Sequence, residues 1–113
     1  MKMSSECYTF AMKKIVVYVP LTHADQVRQS IGEAGGGKLG SYSFCSFSVR
    51  GVGRFRPDKG AKPHIGSVGA FESVEEDRIE VTCDDASVKG VVSAIKKVHP
   101  YEEIAMDIYS LEN

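Results

Sequence analysis

Near the middle of the chain runs Gly51-Val-Gly-Arg-Phe-Arg-Pro-Asp-Lys-Gly-Ala-Lys-Pro-His-Ile-Gly66, with four glycines and two prolines in one short stretch. So much Gly and Pro breaks both helix and strand, so the sequence predicts a loop over about residues 51–69. The hydrophobic core must then come from the patterned segments on either side. The loop is also basic: Arg54, Arg56, Lys59 and Lys62 face a single acid, Asp58, and Arg50 lies just before it. A compact domain seldom keeps a structureless loop of this length without a use for it.

Upstream, Lys14 to Val19 is a β-branched run ended by Pro20, which reads as a strand buried on both faces. Thr22 stands in an N-cap position with Asp25 three residues later, as in a capping box. Ala24, Val27, Ile31 and Ala34 follow at helical spacing, and Gly35-Gly36-Gly37 stops the helix. Ser41 to Val49 reads as a second strand carrying Tyr42, Phe44, Cys45 and Phe47. Downstream, Asp77 to Cys83 alternates charged and apolar residues, the pattern of a strand with one wet face. Val88, Val91, Val92 and Ile95 form the stripe of a second helix, with Asp84 and Asp85 before it and Lys96 and Lys97 near its end. Pro100 ends that helix, and Ile104 to Tyr109 reads as a last strand.

The order is β-α-β-β-α-β. Connection rules turn that order into an α+β, ferredoxin-like sandwich: a four-stranded antiparallel sheet with two helices on one face. Strands two and three form a hairpin with the basic loop at its tip. The strand-two aromatics then help make an apolar sheet face that needs cover, which points to self-association.

At 113 residues the chain makes one domain, read here as 12–113, after an extended or disordered segment at 1–11. The net charge of -1 gives no global attraction to nucleic acid or an anionic membrane, and no run reaches membrane-spanning length. The three cysteines, Cys7, Cys45 and Cys83, are odd in number and lack a CxxC pair, which fits a reducing cytoplasm.

Two segments carry chemistry. The first is the loop. It is neither a Walker A loop nor a dinucleotide fingerprint. Gly51 and Gly53 leave the backbone open to a ligand, and Arg54, Arg56, Lys59 and Lys62 supply charge for an anionic small molecule or an acidic protein surface. The competing reading is a packed hairpin extension whose Phe55 and Ile65 cover a neighbouring subunit. The second segment is His99-Pro-Tyr-Glu-Glu103. His99 with Glu102 or Glu103 has the residue types for a divalent metal or an acid–base pair. Equally, His99 serves to cap the second helix while Pro100 and Tyr101 turn the chain.

Tyr42-Ser-Phe-Cys45-Ser-Phe47, Gly51-x-Gly53-x-Phe55-Arg56-Pro57, Pro63-His-Ile-Gly66, Arg78-Ile79-Glu80 and His99-Pro-Tyr-Glu-Glu103 with Asp107-Ile-Tyr109 occur in that order. Together they resemble the PII-like, CutA-like domain inserted in YqfO-type proteins of the Nif-three-like family, over about residues 12–111. The resemblance implies the ferredoxin-like fold and a homotrimer. It does not imply metal-dependent hydrolysis, since in that family the paired-metal site belongs to the flanking host domain. Here His23, His64 and His99 lie on three different elements and do not rebuild it. Phe44 stands where the family often carries a polar residue before the Cys, which weakens a metal site around Cys45. In PII proteins the loop between strands two and three is the signalling loop, with nucleotides bound at its base.

The sequence therefore points to a non-enzymatic, oligomeric regulatory or ligand-binding module. The alternative is a divalent-metal-binding protein using His99, Glu102 or Glu103 and Cys45. A small hydrolase is the least supported class, for no nucleophile–base pair is evident.

Overall fold

A computed structural model describes residues 12–112. The expectation of an extended segment at 1–11, and Cys7 with it, lies outside the described residues. The elements are β1 (Met12–Pro20), α1 (Leu21–Glu33), β2 (Phe47–Phe55), β3 (Glu72–Asp84), a 3-10 turn (Asp85–Ser87), α2 (Val88–Val98) and β4 (Met106–Leu111). The sheet is antiparallel throughout, in the order β2-β3-β1-β4. This is the ferredoxin-like arrangement that the element order predicts.

The β-branched run of β1 explains its central place. Ile15, Val16 and Val17 are all fully buried, as a strand flanked on both edges requires. Register divides the sheet into two faces, because directly paired residues point the same way. Val17 pairs with Ile79 and with Met106, and this row packs with Ala24, Val27 and Ile31 of α1 and Val91 and Ile95 of α2. The next row, Phe47, Glu80, Val16 and Asp107, faces away from the helices. At the far end of the sheet, Met12 pairs with Leu111.

The helix-free face departs from the apolar surface the sequence predicts. Its centre is ionic: Lys14 lies 3.4 Å and Arg78 3.2 Å from Glu80, and the Arg78 guanidinium sits over the Tyr18 ring. Exposed apolar side chains gather instead on the outer strands, with Phe47 at 65 % and Tyr109 at 48 % exposure.

Three boundaries also differ. Helix α1 begins directly after Pro20, its N-cap, so Thr22 caps nothing; Thr22 Oγ1 meets His23 Nδ1, and Asp25 pairs with Arg28. Residues 41–46 are not strand. Phe44 takes a φ of 59° and its ring turns onto Gly32 of α1, where a side chain would overlap it. Strand β2 starts only at Phe47, then runs on through Gly51 and Gly53 to Phe55. The glycines hold strand geometry because β3 begins at Glu72, well before Asp77, and pairs with them residue by residue. The true loop is 56–71.

Two reinforcements tie the helices down. Asp84 accepts a hydrogen bond from the Ser87 N–H at 3.1 Å and so caps the turn into α2, while Lys96 and Lys97 complement its C-terminal dipole. On α1, Arg28 reaches Asp77 of β3 at 3.2 Å and Ser48 of β2 at 3.0 Å.

Candidate functional site

The loop folds back onto the end of the body where β1 passes into α1 and α2 hands over to β4. The Lys62 N–H donates to Glu102 Oε2 at 2.8 Å, although the two residues are 40 positions apart. His64 of the loop meets His23 of α1 edge-on, with ring centroids 5.8 Å apart, and lies 6.4 Å from the Tyr101 ring. The Gly69 N–H donates to the Pro57 carbonyl at 2.8 Å and closes the neck of the loop. Between loop and body lies a cleft of about 480 Å³.

Its floor is built from side chains that support one another. His99 is 7 % exposed. Its Nε2 lies 2.7 Å from the Tyr18 carbonyl oxygen, which only accepts, so Nε2 carries the proton. Nδ1 is then the acceptor for the Tyr101 N–H at 3.2 Å. Both ring nitrogens are thereby engaged within the chain, and the ring fixes Tyr101. The Tyr101 hydroxyl in turn donates to Glu76 Oε2 at 3.0 Å. Glu76 fits there because Gly53 has no side chain; a Cβ at that position would collide with the Glu76 carboxylate. Phe55, with its centroid 6.3 Å from that of Tyr101, adds a second aromatic wall.

Burial holds the His99 imidazole below its ordinary value of 6.5, against the opposing pull of the Tyr18 carbonyl and Glu76. Burial first, and then the Glu76 bond, push the Tyr101 phenol well above its ordinary 10.0, so it stays a donor. The His99 shift has a consequence for stability. Unfolded, the imidazole takes its proton near pH 6.5; folded, it does so only at lower pH. Below 6.5 the unfolded state binds more protons, so acid favours unfolding. The melting temperature is expected to fall between about pH 7.5 and about pH 5.5, and His99→Gln should remove part of that fall. An equal fall in both proteins would show that His99 contributes nothing to it.

The two segments that the sequence singles out thus line one cleft. Gly53, Arg54, Arg56 and Lys59 line the cleft from one side, and Glu102 and Glu103 from the other. Three residues are placed differently. Gly51 lies in the strand beside open space, outside the cleft. Lys62 contributes its backbone N–H rather than its charge. His99 lies beneath the floor, and no group of three or more His, Cys, Asp or Glu among the described residues is arranged to hold a metal. Cys45 is half-buried and away from the cleft. The three histidines lie on three different segments, as expected, and aromatic contacts link them around Tyr101. Arg56 is already committed: its Nε and Nη2 both lie 3.0 Å from Asp58, and its guanidinium covers Phe71. Arg54 and Lys59 have no ion-pair partner among the described residues.

Sheet order and hairpin give a CutA-like, PII-like fold, and structural comparison agrees. The divalent cation tolerance protein CutA of Archaeoglobus fulgidus superposes with a TM-score of 0.64 over 90 % of this chain and 85 % of its own, at 17 % identity. GlnK of Bacillus subtilis gives 0.56 over 90 % of this chain and 86 % of its own, also at 17 % identity. At such identities the likeness is one of fold. No family model matches the chain. Closer likeness comes from longer proteins. A Bacillus cereus protein related to NIF3 superposes with a TM-score of 0.83 at 44 % identity, over 96 % of this chain and 28 % of its own. A GTP cyclohydrolase 1 type 2 homolog of Bacillus subtilis is 50 % identical over 93 % of this chain, and one of Halalkalibacterium halodurans 49 %. The chain spans about 28 % of the length of these relatives. It is thus similar to one segment of these NIF3-related proteins and shares the CutA-like fold. Among the described residues no helix is long and apolar enough to cross a membrane.

Proposed function

We propose that this domain is a non-enzymatic, homo-oligomeric ligand-binding module that takes the anionic group of a small molecule at the mouth of the cleft. One observation carries the reading: the basic arm of the hairpin and the His99–Glu103 segment enclose a single aromatic-walled cavity of ligand size. Arg54 and Lys59 are the cations free to meet an anion, since Arg56 is held by Asp58. Neither a Ser nor a Cys lines the cleft, and His99 has no nitrogen left to act as a base. We assign the cyclohydrolase chemistry suggested by the relatives' name to the parts of those proteins that this chain does not match. Among the described residues no cluster of His, Cys, Asp or Glu favours the divalent-metal alternative at His99, Glu102 and Glu103.

Arg54→Ala with Lys59→Ala is the informative change, because neither side chain has an ion-pair partner to lose. The double variant should weaken binding of inorganic phosphate or phosphate esters at least about tenfold, with a melting temperature within about 2 °C of the parent. Calorimetric titration checks the first and thermal unfolding the second. Unchanged phosphate affinity would remove the anion site.

Self-association rests on β2, an outer strand with one unpaired edge and with Phe47 and Val49 exposed beside it. A trimer mass by light scattering at micromolar concentration is the expected result, and Phe47→Asp should lower it. A monomer mass for the parent protein refutes the assembly.

A further inference from the structure

We propose that the cleft selects a zwitterion: its floor takes a cationic amine or quaternary ammonium group, while the anionic group of the same ligand meets Arg54 and Lys59. This rests on the reading of the cleft as a ligand site and adds the class of ligand. The observation behind it is Glu76. This half-buried carboxylate lines the cleft, yet no Lys or Arg among the described residues lies within ion-pair distance of it. Among the described residues the only side chain bonded to it is the neutral Tyr101 hydroxyl, on Oε2. The imidazole beneath is the neutral, Nε2-protonated form of His99 and supplies no charge. Any ligand that fills the cleft strips water from Glu76. That is costly for an unpaired carboxylate unless the ligand brings a positive charge.

The walls suit such a charge. Phe55 and Tyr101 are tilted by 56° to each other and His64 completes the aromatic side, and ring faces attract ammonium groups. Glu102 and Glu103, which also line the cleft, add negative charge. Of the four carboxylates in the lining only Asp58 has an ion-pair partner among the described residues, so a bare anion meets the other three, and a bare cation meets Arg54 and Lys59. A molecule bearing both charges satisfies both sets. Gly53 belongs to the same device, since its missing Cβ is what lets the Glu76 carboxylate lie beside the strand.

Phosphocholine, choline and inorganic phosphate are suitable probes for calorimetric titration of the full chain. The parent protein should bind phosphocholine at least about tenfold more tightly than phosphate. Glu76→Gln removes the charge but keeps an acceptor for the Tyr101 hydroxyl. It should bring phosphocholine to within about twofold of phosphate and leave phosphate binding no weaker than in the parent. Arg54→Ala with Lys59→Ala should lose phosphate and retain weak choline binding. Equal affinity of the parent for phosphate and phosphocholine, or a preference that survives Glu76→Gln, overturns the zwitterion and leaves the anion reading standing. Failure of the parent to bind any of the three overturns both.

Discussion

Gly37→Ala should be the most damaging single methyl group that can be added to this protein. Gly37 has a φ of +80°, a region that a side chain disfavours. Its neighbourhood is worse than its dihedral. A Cβ there would run into the backbone of Cys45, whose nitrogen would lie 2.8 Å away and whose carbonyl carbon 3.1 Å. Backbone cannot swing aside as a side-chain tip can. The contact also holds the segment in place: the Gly37 N–H donates to the Thr82 carbonyl at 2.9 Å, and the Cys45 N–H to the Gly37 carbonyl at 2.8 Å. Strain and lost hydrogen bonds together should cost about 3–5 kcal/mol, seen as a fall in melting temperature of at least about 10 °C. Gly40→Ala is the control, since Gly40 also has a positive φ of 56° but nothing within 4 Å of a new Cβ. It should cost only about 1 kcal/mol. Equal losses at both positions would falsify the backbone-collision argument.

Asp77→Ala should come second, at about 2–4 kcal/mol. Asp77 is 6 % exposed and lies 3.2 Å from Arg28 and 3.6 Å from Arg50. Removing it leaves the half-buried Arg28 guanidinium short of a partner and loosens α1 from β3. The neighbouring pair makes a test of burial against distance. Asp25 holds Arg28 at a shorter 2.7 Å, and that bond is the first reason the Arg28 pKa is raised, yet the Asp25 side chain is 99 % exposed. Water replaces such a partner readily, so Asp25→Ala should cost below about 1 kcal/mol. Chemical unfolding of the two variants decides it: a larger loss at Asp25 means that distance, not burial, governs this cluster.

Much of the fold is legible in the residues. The β-branched run in β1, the stripes of both helices and the alternation from Asp77 to Cys83 each have one geometric solution, and together they yield the sheet order. The stretch around the glycines is where local reading fails. Gly51 and Gly53 read as loop because Gly weakens a strand on its own. Yet Phe47, Val49, Gly51, Gly53 and Phe55 keep a period of two, and that alternation is the signal that the strand runs on. Strand pairing with Glu72–Glu76 supplies what the local sequence lacks. The reverse error falls on Tyr42 and Phe44, whose aromatic character suits a strand while Phe44 in fact holds a positive φ. As for the site, both halves are visible as motifs, but their meeting is not. It depends on the Lys62–Glu102 bond and the His23–His64 contact, which join distant parts of the chain and leave no trace in any local window. Glu76 escapes notice for the same reason. It is one acid among several in β3, and only the notch at Gly53 distinguishes it.

The pairing of Met12 with Leu111 brings the two ends of the described sandwich side by side. Cross-strand partners lie only about 5 Å apart. The unit therefore departs from nearly the same point at which it enters. A surface turn of another protein could be opened at one peptide bond, receive the whole sandwich and close again without stretching its own framework. Its relatives are more than three times as long as the segment they share with this chain, and such a seam would let the shared segment be gained, lost or exchanged while the surrounding architecture stays intact.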